Sequence, residues 1–431
     1  VTSSTTSAVN FNFPTGTSNP GTITTQGIIS VQNVPYQAIY AWDPTTNSPY
    51  ASAIPSAPTV NDGFFVAMPQ RQIVAWGSSF TGIQDPLLIR WCDVNNFNSW
   101  IATVTNQAGS YRIPKGSKIV GCIQGPQQGL VWTDLGLWSM QYTGPPYVYG
   151  FTEIGTGCGL IGRKAAASLN GVVYWMGASQ FFMLSNAGVQ PLPCPIWDVI
   201  FQELDQTNLN KIRVAVNSRF GEIMWFYPTT GNGGEINAYV KYNVYLNVWD
   251  YGNNIPTPVQ PTASVTQPYQ MARTAWIDQS VLGAPIGAGI NTSTNPPTVY
   301  LYQHDGTDPA TGLPACDADG SPILSNFTTG YFAAEEADKK VFIDQIWPDM
   351  KWTFYGATNQ ASATVNFSFF ATDYAGGTPY QYGPYIMQST TNYISPRMRG
   401  RLVSIGLSTN DVGTFWRIGN IRYRFQEDGK Y

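Results

Sequence analysis

The stretch GVVYW at residues 171–175 is a short apolar run that begins at the turn pair Asn170-Gly171 and ends in a tryptophan. Runs of the same kind, AIYAW, RQIVAW, GLVW, GEIMW and ARTAW, end at Trp42, Trp76, Trp132, Trp225 and Trp276. From Trp42 to Trp276 the steps between successive tryptophans are 34, 56, 43, 50 and 51 residues. Val, Ile, Tyr and Trp favour strands. A strand unit that recurs every ~40–50 residues is typical of β-propeller blades and similar arrays.

The segments around these runs predict antiparallel ribbons. Asn170-Gly171 between two apolar runs is a strong hairpin signal, and residues 218–221 (SRFG) predict a second hairpin. Helix is scarce. Residues 197–204 (WDVIFQEL) have helical spacing of their apolar positions, which predicts one short connecting helix.

The sequence predicts an all-β fold in three parts. Residues 1–62 form an extended arm, rich in Ser, Thr, Gly and Pro, with the first strands. Residues 63–330 form an irregular β-propeller-like domain of repeated antiparallel blades, and residues 331–431 form a C-terminal antiparallel β-sandwich. Near the end, Arg422, Arg424 and Gln426 alternate with Ile421, Tyr423 and Phe425. This alternation predicts a half-buried strand with one basic face.

The charge content is low for a chain of 431 residues. Only 11% of residues are charged, and the formal net charge is −4, whereas an ordinary soluble domain has about 25% charged residues. A nucleic-acid clamp needs a dense basic stripe, and residues 1–70 contain no Lys or Arg. A neutral polar surface favours a protein that is covered within an assembly. The alternative from composition is an extracellular β-protein.

The five cysteines, an odd number, are widely spaced. We therefore expect free, mostly buried thiols in a protein folded in a reducing cytoplasm, not a secreted disulfide scaffold. No secretory signal and no apolar run long enough for a membrane span is apparent.

The sequence offers few residues for catalysis or metal binding. His304 is the only histidine, so a histidine-based triad or a zinc site finds few candidates. Residues 157–162 (GCGLIG) match GxGxxG but lack the βαβ context of a dinucleotide site, so we interpret them as an inter-blade turn. Residues 317–321 (DADGS) resemble only the start of a calcium loop. We expect no cofactor, no metal and no enzymatic activity.

A glycosidase is the enzymatic alternative that stays open. It needs two carboxylates facing each other in a cleft. The candidates are Asp134, Glu153, Asp198 and Glu222. The tryptophans fall mainly within predicted strands, which favours core packing over a sugar platform.

One charged feature stands out, an arginine cluster near the C-terminus formed by Arg397, Arg399, Arg401, Arg417, Arg422 and Arg424. These side chains are candidates for contact with DNA phosphates or with an acidic partner ring. The alternative is ion pairing with the acids Asp344, Asp349, Asp411, Glu427 and Asp428.

Residues 393–431 resemble the ending of tail proteins from short-tailed bacteriophages. The matching positions are Arg397, Arg399, Gly400, Arg401, Trp416, Arg417, Gly419, Arg422, Asp428 and Gly429. Residues 130–162, 172–184, 221–228 and 242–252 are similar to the tail nozzle, tail-hub or DNA-stabilisation proteins of such phages. The resemblance covers about residues 70–431, and its motifs are structural.

The resemblance implies a non-enzymatic virion protein, assembled in the host cytoplasm, that forms a ring in the tail, a hexamer in that family. Its expected partners are other copies of the chain, the adaptor and portal-proximal proteins, tail fibres or spikes, and double-stranded DNA passing through the lumen. Two other hypotheses stay open: a glycan-binding or glycan-cleaving tail protein, and a secreted adhesin without a phage role.

Overall fold

The structure is a computed structural model that describes residues 38–43, 45, 50–253, 273–278, 283–291, 298–306, 323–333, 339–354, 364–388, 390–411 and 413–428. These residues belong to two compact units. The first contains the described residues up to 253 and 273–278, the second contains those from 301 onwards, and residues 283–300 are divided between the two. The predicted arm within residues 1–37 lies outside the described residues.

The first unit is built from four successive four-stranded antiparallel sheets, here called blades 1 to 4. A small ribbon precedes them, β1 (Tyr40–Ala41) and β2 (Ser52–Ala53). Blade 1 has the order β3-β4-β7-β8 with the ribbon β5-β6 inserted, and its strands are β3 (Gly63–Ala67), β4 (Gln72–Trp76), β5 (Ser79–Phe80), β6 (Ile83–Gln84), β7 (Leu88–Trp91) and β8 (Gly109–Arg112).

Blades 2 to 4 are meanders, in which each strand pairs with the next in sequence. Blade 2 consists of β9 (Ile119–Gln124), β10 (Gly129–Thr133), β11 (Gly136–Gly144) and β12 (Val148–Thr156). Blade 3 consists of β13 (Ala166–Leu169), β14 (Val172–Met176), β15 (Phe181–Ser185) and β16 (Gly188–Leu192). After helix α1 (Trp197–Glu203) and a 3-10 turn (Leu209–Lys211), blade 4 consists of β17 (Arg213–Asn217), β18 (Glu222–Pro228), β19 (Ile236–Asn243) and β20 (Val248–Asn253).

A tryptophan occupies the second strand of every blade. Trp76, Trp132, Trp175 and Trp225 lie on β4, β10, β14 and β18, and none is more than 4% exposed. The repeated phrase in the sequence therefore marks one structural position. The phrase AIYAW is an exception, because Trp42 follows the short β1 and is 59% exposed. The prediction that AIYAW repeats the blade position is wrong.

These tryptophans couple each blade to its neighbour. The indole rings of Trp132 and Trp175 meet edge to face, with their centroids 5.4 Å apart. Trp225 Nε1 donates a hydrogen bond to the carbonyl of Ala165, just before blade 3, at 2.9 Å, and its ring lies 4.8 Å from that of Phe181. One hydrophobic core consequently runs through blades 2, 3 and 4, and a second joins blades 1 and 2.

Glycine-containing turns connect strands within a blade and between blades, as the sequence indicated. Asn170 and Gly171 have φ values of 51° and 80°, the left-handed conformations that a tight two-residue hairpin requires. The GCGLIG segment is the turn between β12 and β13. A Cβ on Gly159 would lie 2.5 Å from the carbonyl oxygen of Asp134, so the backbones approach too closely for any other residue. The interpretation of this segment as an inter-blade turn is confirmed.

A three-stranded sheet follows, with the order β21-β22-β23: β21 (Ala275–Ile277), β22 (Ile286–Asn291) and β23 (Thr298–Gln303). Trp276, the last of the six phrase tryptophans, lies on β21. Its indole Nε1 donates to the carbonyl of Val216 on β17 at 2.7 Å. Trp276 thus repeats the contact that Trp225 makes with the preceding blade, although its side chain is only partly buried.

The second unit is an antiparallel sandwich. Its strands are β24 (Ser325–Thr328), β25 (Phe332–Ala333), β26 (Val341–Phe354), β27 (Val365–Thr372), β28 (Tyr380–Met387), β29 (Met398–Gly400), β30 (Leu402–Thr409) and β31 (Thr414–Glu427). One sheet has the order β24-β30-β27-β28, with β25 also on β30, and the other has the order β29-β26-β31. Ile343 from one sheet and Phe367 and Ile405 from the other share one core.

The fold is therefore all-β, as predicted, with a β-propeller-like unit of antiparallel blades followed by a β-sandwich. The exact boundaries at residues 62 and 330 stay predictions. The predicted helix is confirmed as α1. No helix of the described residues is long and apolar enough to cross a membrane.

The expectation of free, buried thiols is confirmed for the cysteines within the described residues, namely Cys92, Cys122, Cys158 and Cys194. Burial raises the pKa of each thiol, to about 11 for Cys194. These thiols are therefore poor nucleophiles at neutral pH. Cys316 lies outside the described residues.

We expect Trp175→Ala to lower the free energy of unfolding of the first unit by about 3–5 kcal/mol, because it removes a fully buried indole from the contact between blades 2 and 3. Urea unfolding followed by circular dichroism measures this change. Trp197→Ala is the matched control, since that indole is 54% exposed, and it should change stability by no more than about 0.5 kcal/mol. Equal effects of the two substitutions would contradict the coupling role.

Candidate functional site

The sheet β29-β26-β31 carries four of the six predicted arginines. Along β31, Arg422 and Arg424 are exposed, whereas Ile421, Tyr423 and Phe425 are partly buried against the sandwich core. Side chains of a strand alternate between its two faces, so the arginines point away from the core. The prediction of a half-buried final strand with a basic face is confirmed.

The register across the sheet brings distant residues onto this face. Arg422 lies opposite Trp347, and Arg417 lies opposite Lys351. On the other side of β26, Arg399 lies opposite Phe342, and its guanidinium sits 5.8 Å from the ring centroid. We call this surface the arginine face; it consists of Phe342, Asp344, Trp347, Asp349, Lys351, Arg399, Phe415, Arg417, Arg422 and Arg424.

Carboxylates on the same unit neutralise three of these arginines. Arg422 pairs with Asp349 at 2.9 Å, and Arg399 Nε pairs with Asp428 at 2.6 Å. Arg424 binds Asp344 through two nitrogens, Nε at 2.8 Å and an Nη. The sequence left two roles open for these arginines: contact with DNA or a partner, and ion pairing with acids that include Asp344, Asp349 and Asp428. The structure shows these ion pairs, while contact with DNA or a partner stays a prediction.

One end of the arginine face keeps its positive charge. Arg417 and Lys351 are both exposed and lie directly across from each other. Among the described residues, no carboxylate forms an ion pair with either of them. Arg417 instead stacks over the ring of Phe415, 5.7 Å from its centroid, a cation–π contact of modest strength at an exposed position.

The remaining two arginines flank the paired stretch of β29. Arg397 is exposed in the segment before this strand. Arg401 follows the strand and is partly buried, and its backbone N–H donates to the carbonyl of Thr372 at 3.1 Å. The structure thus groups Arg399, Arg417, Arg422 and Arg424 in one sheet, with Arg397 and Arg401 at its margin.

Sequence reasoning missed the aromatic part of this surface. The Trp347 ring lies 6.3 Å from that of Tyr393, and the adjacent residues Ile346 and Ile394 form a β-bridge. The sequence predicted a sandwich over residues 331–431 but not which side chains of β26 face outward. Register shifts between Ile343 and Gln345, and between Pro348 and Met350, change the alternation along β26.

Each of the four carboxylates proposed for a glycosidase has a local structural role in its own blade or helix. Asp134 accepts hydrogen bonds from Ser117, and Glu153 pairs with Lys115 at 2.7 Å. Glu222 pairs with Lys241 at 3.2 Å. Asp198 lies in the first turn of α1, where a negative charge complements the helix dipole.

The other candidate sites offer no grouped ligands. His304 follows β23, and its backbone N–H donates to the carbonyl of Pro285 at 2.7 Å. Within the part of the chain that the structure describes, no group of three or more His, Cys, Asp or Glu side chains could hold a metal ion. The calcium-like segment 317–321 lies outside the described residues.

No known family profile and no curated protein matches the chain. Among solved structures, the N-terminal domain of Nup159 shares 10% identity, over 80% of this chain and 89% of that one, with a TM-score of 0.29. A protein described as a glycoside hydrolase shares 10% identity over 83% and 96%, with a TM-score of 0.26. An exo-β-1,3-galactanase from Phanerochaete chrysosporium shares 10% over 83% and 99%, with a TM-score of 0.25. At TM-scores this low, these likenesses indicate no function for the chain.

The ion pairs of the arginine face make stability depend on pH. The hydrogen bond from Arg424 lowers the pKa of Asp344, and the carboxylate in turn raises the pKa of Arg424. A carboxyl whose folded pKa is depressed stabilises the protein above its unfolded-state pKa. This contribution disappears as the pH falls through the folded pKa.

We therefore expect Arg424→Gln to lower the melting temperature at about pH 7, and this effect to shrink as the pH falls through the folded pKa of Asp344. Thermal unfolding at a series of pH values measures the difference. Arg397→Gln is the control, because this exposed arginine has no ion pair within the described residues. If Arg424→Gln lowers the melting temperature equally at every pH, the ion pair with Asp344 is not the interaction through which Arg424 stabilises the protein.

Proposed function

We propose that the chain is a non-enzymatic structural protein of a bacteriophage tail. Its copies form a ring, a hexamer as in the family it resembles, that serves as a nozzle or hub below the portal and adaptor. The ring conducts or retains the genome, and tail fibres or spikes dock on it. The resemblance of residues 70–431 to tail nozzle and hub proteins motivates the proposal.

The composition of the arginine face is the observation that carries the proposal. Protein interfaces are enriched in aromatic residues and arginine, and their most energetic positions are often Trp, Tyr and Arg. The arginine face exposes arginines beside Trp347, Phe342 and Phe415, with a compensating acid for all but Arg417. Arginines that are already paired with carboxylates and lie beside aromatic rings suit another protein surface better than a phosphate backbone, which binds through unpaired cations.

Blade 4 offers a second surface that suits a neighbouring copy. Strand β20 is at the edge of its sheet, and Val248 and Tyr251 on it are exposed. The preceding turn exposes Tyr245 and Leu246 as well. An unpaired strand edge with apolar side chains invites association. Two different patches on one chain are what a heterologous, ring-closing contact requires.

The described charges also suit a lumen through which DNA slides. Affinity for DNA depends on cations free to neutralise phosphates. Three arginines of the arginine face are already neutralised by Asp344, Asp349 and Asp428. The glycan-cleaving alternative is less well supported. Glu153 and Glu222 form ion pairs with lysines, and Asp134 accepts a hydrogen bond from Ser117. These interactions favour structural roles for the three carboxylates.

We expect the purified chain to sediment as a closed ring and Arg422→Glu to weaken assembly by at least about tenfold, because the substitution places two carboxylates side by side on the interface. Sedimentation velocity over a range of concentrations measures the change. Arg112→Glu is the matched control, since this exposed arginine also pairs with an aspartate, Asp85, but on blade 1.

Circular dichroism and thermal unfolding must show that both variants keep the fold. A wild-type chain that stays monomeric at its highest soluble concentration would contradict ring assembly. A ring that Arg422→Glu leaves intact, or that Arg112→Glu disrupts equally, would exclude the arginine face as the interface.

A further inference from the structure

A polar cleft opens where hairpin turns of blades 1, 2 and 3 converge. Four turns contribute to its lining: the turn after β3, the turn between β9 and β10, the hairpin turn before β14 and the hairpin turn after β15. Its volume is about 620 Å³, which is in the range of ligand-binding sites. An adjoining hollow of about 500 Å³ shares with it Pro126, Gln127, Gly171, Ser185 and Asn186. The two together form one elongated site.

Side-chain amides dominate the polar lining of the cleft, and no charged residue contributes to it. The amides belong to Gln70, Gln124, Gln127, Gln128, Gln141 and Asn186. Every amide carries both hydrogen-bond donors and an acceptor. The cleft therefore matches a ligand that presents many neutral groups, each acting as donor and acceptor.

Internal hydrogen bonds hold part of this lining in place. Gln141 Nε2 donates to Gln128 Oε1 at 2.9 Å, and the backbone N–H of Met68 donates to Gln124 Oε1 at 3.0 Å. The Gln141–Gln128 bond uses one polar group of each side chain and leaves the other for a ligand. Gln127 is exposed and lines both hollows.

Two tyrosines form a fixed aromatic wall. The rings of Tyr142 and Tyr149 meet edge to face, with their centroids 5.7 Å apart. The Tyr142 hydroxyl donates to Gln107 Oε1 at 2.8 Å, and the Tyr149 hydroxyl donates to Gln72 Oε1 at 2.6 Å. Tyr149 is buried, while Tyr142 is 40% exposed. The Tyr142 ring, which the hydrogen bond from its hydroxyl to Gln107 holds in place, is available to stack on the apolar face of a sugar.

We propose that this cleft binds a segment of an uncharged glycan. Hydroxyl groups of a neutral sugar both donate and accept, which the amides satisfy, and the Tyr142 ring supplies the apolar contact. Anionic ligands find no cation in the lining. An extended peptide is less suited, because it is recognised mainly through main-chain pairing with a strand edge, whereas side-chain amides supply most of the polar lining.

The cleft binds without cleaving. Glycoside hydrolysis needs two carboxyl groups on either side of the scissile bond, and the lining contains none. Asp134, Glu153, Asp198 and Glu222 all lie outside it. The inference does not depend on ring assembly, since every lining residue belongs to the first unit of a single chain.

Affinity electrophoresis of the full chain in gels containing dextran, mannan or galactomannan tests the proposal. We expect at least one of these neutral polysaccharides to retard the wild type, with little dependence on salt. The triple variant Gln70→Ala, Gln127→Ala, Asn186→Ala should bind about tenfold more weakly, because several neutral hydrogen bonds are lost. The matched control, Gln190→Ala, Gln202→Ala, Gln206→Ala, removes three exposed amides outside the cleft and should bind as the wild type.

Two tyrosine variants separate stacking from loss of fold. Tyr142→Phe keeps the ring and should retain most of the affinity, whereas Tyr142→Ala should lose about tenfold; equal melting temperatures show that the blades persist. The proposal is overturned if none of the three polysaccharides retards the wild type, or if the cleft and control triple variants bind alike. Displacement of bound polysaccharide by a glutamine-rich peptide of higher affinity would assign the cleft to a peptide instead.

Discussion

The indole of the tryptophan on each second strand packs where one blade meets the next, and the first unit depends on this contact. A single four-stranded sheet leaves its two faces open to water. Trp132 against Trp175, and Trp225 against Phe181, cover those faces pairwise. The hydrogen bonds from Trp225 to Ala165 and from Trp276 to Val216 also fix the orientation of each indole ring. Burial and hydrogen bonding together fix the angle at which one blade follows another.

The surfaces proposed to be functional follow from this packing. Because the blades are stacked side by side, hairpin turns that are far apart in sequence converge and form the amide-lined cleft. The same succession leaves β20 as an edge with apolar side chains at the end of blade 4. In the sandwich, the core contacts of β26 and β31 turn their remaining side chains outward as the arginine face.

Local signals in the sequence predicted most of the fold. The tryptophan phrase predicted the second strands of four blades, Asn170-Gly171 predicted a hairpin, and the alternation after Ile421 predicted the orientation of β31. These features depend on residues a few positions apart. AIYAW has the same local composition but ends in an exposed tryptophan. Burial of a side chain depends on what packs against its strand, and the residues of the strand alone do not determine this.

The sites were less predictable for the same physical reason. Arg424 meets Asp344 across 80 residues of sequence, and Arg422 meets Asp349 across 73. Register shifts in β26 decide these pairs, and no local pattern reveals them. The cleft combines Gln70, Gln127 and Asn186 from three blades. For the arginine face, the sequence showed the six arginines and several acids as possible partners, but not which of them pair.

Electron microscopy of the purified full-length chain tests the central claim most directly, namely that this protein is a ring-forming component of a phage tail. The account predicts closed rings with sixfold symmetry, an axial channel wide enough for double-stranded DNA, and repeated contacts that include the arginine face. Isolated protomers, or open filaments without a channel, would contradict it.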